Sequence, residues 1–423
     1  MSQTTPGAPD QPLIPTAGSP PEAVLAEIEA ARTSDADWRA GRTFSLIYNT
    51  GDHELEELLE EVSRRFLHEN ALNPFAFPSL RRFESEVVDA TAELLHGVPR
   101  AGTLTSGGTE SILMAVKTSR DIARAEGRPA TNLLVPRSAH PAFAKAAHYL
   151  DVEERRIGLG DDLRVDVDAM AAAIDEGTFL LVGSAPCYPY GLIDDITSIS
   201  ELASSRDLLC HVDSCLGGWM LPWWERLGRD QPVFDFRLPG VTSMSADIHK
   251  YGYTFKGAST VLYRSREMVR SQYFFFEGWP GGMYGSPAAA GARPAAPIAG
   301  AWAVIRHLGE EGYLRFARET LQAFDAYRGG IESIEGLAVT GDPDFCSFEF
   351  GPDPEAPEEI DIGAVGDFMD DRGWHVDRQQ GGLHLMLSPF HARVVDEFLS
   401  DLSEAVAAGG TGRGREATYG GVG

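Results

Sequence analysis

Positive charge is what this chain has least of. Its 36 lysines and arginines stand against 63 aspartates and glutamates, a formal charge of −27 over 423 residues. A field of that sign repels nucleic acid and anionic membranes, so neither is expected as a partner, and an anionic ligand has to be gripped by local donors. Cysteine is scarce too. Cys187, Cys210, Cys215 and Cys346 form no C-x-x-C pair and no metal-ligand spacing, which predicts no metal and four small buried hydrophobes in a reducing compartment. No run approaches about eighteen apolar residues, and the proline-rich start has neither a basic n-region nor an apolar core. The expectation is a cytoplasmic protein without a membrane anchor.

What is present is enough apolar material for a large core, 43 % of the residues, and a chain long enough for one large domain plus a smaller one. Residues 1–20 and 409–423 read as a disordered arm and tail. Residues 21–100 form an N-terminal helical segment contributing to the site. Its stripes are Val24, Leu25 and Ile28, then Leu55, Leu58, Leu59, Val62 and Phe66, then Phe83, Val87, Ala90 and Leu94, all taken as core. Residues 101–300 alternate short apolar strands (Leu133–Val135, Phe179–Val182, Leu208–Asp213, Val241–Ala246) with helices. That pattern means a mostly parallel sheet covered on both faces, with ligands at the carboxyl ends of its strands. Residues 301–408 read as a small α+β C-terminal domain, with the acidic, proline-rich Pro352–Glu359 as a surface loop.

Ser245 to Tyr253 is the most informative stretch: the last of those strands runs into His249 and Lys250. Burial disfavours an ammonium, so a lysine at a strand mouth is costly unless its chemistry is used. By itself it also suits a snorkelling surface residue. Thr105-Ser-Gly-Gly-Thr109 opens an amphipathic helix carrying Ile112, Ala115, Val116, Ser119 and Ile122 on one side. Two glycines and the unpaired N–H groups of a helix start suit a phosphate, and equally a plain helix start. Asp213, at the end of a strand, could be a cap, His140 could satisfy a carbonyl, and Lys256 is a competing amine. In chain order, however, these ends offer a phosphate cradle, a flat ring, a carboxylate and a lysine. That set matches pyridoxal 5′-phosphate: Schiff-base lysine, carboxylate on the pyridine nitrogen, imidazole on the ring face, helix start on the phosphate.

These residues lie in longer runs: Thr105-Ser-Gly-Gly-Thr-Glu-Ser-Ile-Leu-Met-Ala115, Ser138-Ala-His140, His211-Val-Asp213-Ser-Cys-Leu-Gly-Gly218, Val241-Thr-Ser-Met-Ser-Ala-Asp247 with His249-Lys-Tyr-Gly-Tyr253, Lys256-Gly257, and Tyr284-Gly-Ser-Pro287. In them the chain resembles the sphingosine-1-phosphate lyase family, in the group II decarboxylase branch of fold type I pyridoxal phosphate enzymes. The resemblance implies a large domain with a mostly parallel seven-stranded sheet, a small C-terminal domain, and a homodimer sharing its active sites. It assigns Lys250 to the cofactor aldehyde, Asp213 to the pyridinium and His140 to the ring face. Gly108, Thr109, Ser245 and His249 fall to the phosphate, and Tyr48 and Lys256 to the substrate. Ser286 joins the cofactor residues, on a Tyr284–Ser286 loop presented to the neighbouring subunit. One departure stands out: the family's N-P-L-H turn is here Asn73-Pro-Phe-Ala-Phe-Pro78, without the histidine often drawn to the substrate phosphate.

The function implied is retro-aldol cleavage of a phosphorylated 2-amino-3-hydroxy compound, with Tyr48, Tyr190 and Lys256 as polar groups around the bond. The alternative is an L-amino-acid decarboxylase, which needs a cation for a carboxylate, supplied by Arg293, Arg372 or Arg378. A lyase running in the biosynthetic direction is a variant of the first reading. A non-catalytic scaffold that keeps the fold is a third class.

Overall fold

The computed structural model describes residues 14–73, 75–356, 360–415 and 417. Most of the expected arm, much of the tail, Pro74 of the turn and residues 357–359 of the acidic loop lie outside them. The chain divides into two compact units, Met1–Asp37 and Trp38–Gly423. The described residues of the first carry one main helix, α1 (Pro21–Ala31), started by proline at its first turn. Its apolar stripe is not core: Val24, Leu25 and Ile28 are all exposed, and no residue of α1 is buried. An i, i+3, i+4 stripe fixes which face is apolar, but whether anything covers that face is a tertiary matter.

The second unit opens with α2 (His53–Arg65), capped by Asp52 on Leu55 N–H, and α3 (Pro78–Leu94). Leu55, Val62 and Val87 are buried as their stripes predict. Then follow β1 (Gly102–Thr105), α4 (Gly108–Ala125), β2 (Asn132–Pro136), α5 (Ala142–Leu150), β3 (Glu153–Ile157) and α6 (Val167–Ala172). Beyond them come β4 (Thr178–Ser184), α7 (Ile196–Ser205), β5 (Leu209–Asp213), α8 (Leu221–Arg226), β6 (Ser243–Ala246), β7 (Ser259–Tyr263) and α9 (Arg266–Gln272). A hairpin, β8 (Phe274–Phe276) with β9 (Tyr284–Ser286), leads to α10 (Ala295–Glu332).

The sheet has seven strands in the order β1-β7-β6-β5-β4-β2-β3, and β7 alone runs against the rest. The mostly parallel, seven-stranded expectation holds. Strands β2 and β4 through β7 are buried along their whole lengths, apart from the half-buried Leu209, as a sheet covered on both faces requires.

Helix α10 crosses the 300/301 boundary expected for the small domain and joins two helical runs at Gly309, whose φ of +54° favours glycine. Beyond it lie β10 (Leu337–Val339), β11 (Ser347–Pro352), α11 (Ile362–Asp371), β12 (Asp377–Arg378), β13 (Leu383–Met386) and α12 (Val395–Ala408). The four strands form an antiparallel sheet in the order β10-β11-β13-β12. The described part of the tail runs back onto α11, where Arg413 N–H donates to Asp367 at 2.5 Å and Arg415 to Asp370 at 2.6 Å. Among the described residues no helix is long and apolar enough to cross a membrane.

Candidate active site

Three parallel strands end side by side. Ser184 of β4, Asp213 of β5 and Ser245 of β6 are in register, so their side chains share the carboxyl edge of the sheet. Asp213 Oδ1 accepts from Cys215 N–H and from Ser245 Oγ, each at 3.1 Å. These bonds hold the carboxylate facing the cavity. Ser245 therefore departs from its expected place at a phosphate: it is fully buried behind Asp213, where a hydroxyl beside a carboxylate meets that carboxylate first.

The cradle is the start of α4. Its N-terminus has no side-chain cap, and the N–H of the preceding Ser106 is taken by Glu110 Oε2 at 2.6 Å, while Glu110 Oε1 accepts from Ala289 N–H at 2.7 Å. A ladder of hydroxyls, Thr105 to Ser111 at 2.6 Å and Ser111 to Ser259 at 2.7 Å, pins this turn to β7. A Cβ on Gly108 would stand 2.8 Å from Cys215 Sγ and 2.9 Å from Asp247 Oδ2, so any larger residue there displaces one of these side chains. Gly108→Ala is expected to weaken cofactor binding about ten-fold or more, roughly 1.4 kcal/mol, in titrations of the cofactor-free protein, with the fold intact.

Lys250 follows β6 by one tight turn, its N–H donating to Asp247 O at 3.3 Å, and its Nζ lies 3.0 Å from Asp247 Oδ2. Although burial pushes the Asp247 carboxyl up, the Lys250 and His249 charges together with hydrogen bonds from Ser259 and Lys250 outweigh it and hold the group below the usual carboxylate range. His140 Nδ1 accepts Ala142 N–H at 3.1 Å, which puts the proton of the neutral ring on Nε2, and burial lowers its pKa. Lys256 Nζ donates to His249 O at 3.3 Å and sits 4.6 Å from the centre of the Tyr48 ring. Desolvation, with the Lys250 charge adding to it, pulls Lys256 down to about 8.

Tyr48, Gly108, Thr109, His140, Asp213, His249, Lys250 and Lys256 all line one cavity of about 390 Å³. Two other predicted residues lie apart from it. Tyr190 lines a neighbouring cavity of about 710 Å³ that shares His140 and Tyr188 with the first. Ser286 Oγ closes its own turn on Ala288 O at 3.0 Å. Of the two tyrosines that follow β4, the one lining the first cavity is Tyr188, whose hydroxyl donates to Asp377 Oδ2 at 2.9 Å. Both tyrosines follow the same strand, and no periodicity says which one turns inward. Asp247 was also missed, though its place three residues before Lys250, on one turn, is a usable signal.

The arginines proposed for a carboxylate are engaged elsewhere. Arg293 pairs with Glu84 at 2.6 and 3.0 Å, Arg372 with Asp401 and Glu404 at 2.7 Å, and Arg378 with Asp367 at 2.9 Å and Asp370 at 2.7 Å.

Residues 48–339 match the pyridoxal-dependent decarboxylase conserved domain. The sphingosine-1-phosphate lyase of Arabidopsis thaliana is 41 % identical over 395 residues, 90 % of this chain and 71 % of that protein. The chain belongs to the sphingosine-1-phosphate lyase family. The solved structure of the family's lyase from Burkholderia pseudomallei K96243 matches with a TM-score of 0.87 at 42 % identity, over 93 % of this chain and 92 % of that one. A probable L-aspartate decarboxylase of Pyrococcus abyssi is more distant, 31 % identical over 93 % of this chain and 99 % of its own. The cofactor of this family is pyridoxal 5′-phosphate. A lysine at the strand mouth, a carboxylate held outward and a helix start that a Cβ would crowd fit that group.

Proposed function

We propose that this chain cleaves the Cα–Cβ bond of a phosphorylated 2-amino-3-hydroxy compound, such as a sphingoid base 1-phosphate, to an aldehyde and a phosphorylated amine. The observation that carries the reading is the second lysine, Lys256, set over the Tyr48 ring inside the same cavity as Lys250. Lys250 would hold the cofactor through its aldehyde, Asp213 through its ring nitrogen, His140 on its ring face, and the start of α4 through its phosphate. The cofactor supplies an electron sink for the pair left at Cα when the bond breaks. The chain supplies the proton transfers. An amine brought down to about 8 can take the 3-hydroxyl proton near neutral pH, with the Tyr48 ring beside it and Tyr188, held by Asp377, lining the same cavity.

A decarboxylase is less supported, because its three candidate arginines are already paired with carboxylates. Incubation with sphingosine 1-phosphate, a short-chain phosphorylated analogue and a panel of amino acids distinguishes the two. Aldehyde from the phosphorylated substrates is expected by mass spectrometry, and carbon dioxide from an amino acid without aldehyde would overturn the assignment.

The working unit we infer is a homodimer in the cytoplasm. The β8–β9 hairpin presents Phe274, Phe275, Phe276, Trp279 and Met283 to solvent, an apolar surface that calls for cover, and it carries the Tyr284–Ser286 loop. All four cysteines are free and buried, which suits a reducing compartment. Phe275→Asp with Trp279→Asp is expected to give a monomer in sedimentation and to lower activity at least about ten-fold. An active monomer would remove the shared-site reading.

A further inference from the structure

Between the cradle and Lys250 lies a carboxylate that the chemistry above leaves without a task. Asp247 directly follows β6, is 2 % exposed, and donates its backbone N–H to Cys215 O at 3.3 Å. Its Oδ2 stands 3.0 Å from Lys250 Nζ and 3.6 Å from His249 Nε2, and the Ser259 hydroxyl also supports the carboxylate. The Gly108 contact places it directly beneath the first turn of α4. Burying a carboxylate is costly unless a cation compensates, and here the nearest cation is the lysine itself.

Lys250 is freed each time a substrate amine displaces it. The freed group then shares the cavity with Lys256, His249, His140 and Cys215 and with two further carboxylates, Asp213 and Glu110, while Asp247 is the one at bonding distance. A carboxylate at bonding distance favours an ammonium and a like charge disfavours it. The two lysines differ in this: Lys250 has Asp247, whereas Lys256 has a backbone carbonyl and an aromatic face.

We propose that Asp247 is the positioning residue of Lys250: whenever that lysine is not joined to the cofactor, the carboxylate holds it as an ammonium beneath the cradle. The proposal rests on Lys250 being the cofactor lysine. For that lysine to react, the ammonium first gives one proton to the buffer. Its nitrogen then bonds to the cofactor's aldehyde carbon, and the aldehyde oxygen leaves as water.

The test is competitive labelling of the full-length cofactor-free chain with acetic anhydride from about pH 6 to about pH 11, each lysine read by peptide mass spectrometry. The Lys250 midpoint is expected at least about one pH unit above that of Lys256, and to fall by about one unit or more in Asp247→Asn. Attachment of added pyridoxal 5′-phosphate, followed by visible absorbance, should reach its plateau rate at lower pH in that variant. A Lys250 that titrates with or below Lys256 in the natural chain overturns the proposal, even if the variant does not fold. So does an unmoved midpoint in a folded variant. Reduction with borohydride that leaves no cofactor on Lys250 would instead refute the reading of Lys250 itself, whatever the titration order.

Discussion

Lys250→Ala is expected to abolish covalent cofactor uptake, erase the visible absorbance of the lysine-bound cofactor and lower turnover by at least about a thousand-fold. Among the described residues the other lysine lining the cavity is Lys256, which is turned to His249 O and the Tyr48 ring and cannot replace it without a shift. A second effect follows from the ion pair. Removing Lys250 leaves Asp247 buried without its nearest cation, which raises the carboxyl's folded pKa above its unfolded value. A raised carboxyl keeps its contribution to stability at low pH and loses it progressively as pH rises from the unfolded pKa through the folded one. Thermal melts of the variant should therefore fall below those of the natural chain by more at about pH 8 than at about pH 5, on the order of 3 kcal/mol at the higher pH. Equal losses at both pH values would show that the carboxylate does not depend on this lysine.

Lys256→Met is the counterpart, and its expected signature is the reverse. The cofactor attaches with its normal absorbance, because Asp213, His140 and the α4 cradle are untouched, and turnover falls by about a hundred- to a thousand-fold. In the natural chain Lys256 is down at about 8, so only about a tenth of it is free amine at pH 7. A role as proton acceptor then requires kcat to rise with pH through about 8, and that limb to vanish in the methionine variant. Loss of the absorbance together with turnover would place Lys256 in cofactor binding instead. An unchanged kcat would remove it from the reaction.

Together the two variants separate holding the cofactor from acting on the substrate. That division is what the family resemblance implies, since the residue runs alone left Lys256 as a competing amine six positions after Lys250. It gains physical content from their surroundings, a carboxylate for one and a ring face for the other.

The parts of the fold legible in the sequence are those written in local period and punctuation. Buried strands showed as short apolar runs ending in polar residues, and α4 as a glycine pair opening a striped helix. Strands β1, β3 and β7 and the β8–β9 hairpin are not legible in this way: β1 and β7 are short runs, β3 is mostly charged, and exposed phenylalanines have no inward face to betray them.

By itself the sequence determined the strand end that carries Asp213, the strand that leads to Lys250, the helix start at Gly108 and the identity of the cofactor, because chain order and side-chain chemistry suffice for these. Only the tertiary structure decided that Ser245 backs Asp213, that Tyr188 and not Tyr190 faces the lysines, that three arginines are spent on carboxylates and that Asp247 lies under the cradle. The reason is distance: hydrogen bonds and ion pairs depend on a few ångströms between residues far apart in the chain, and no periodicity encodes which way a loop tyrosine or a buried hydroxyl turns.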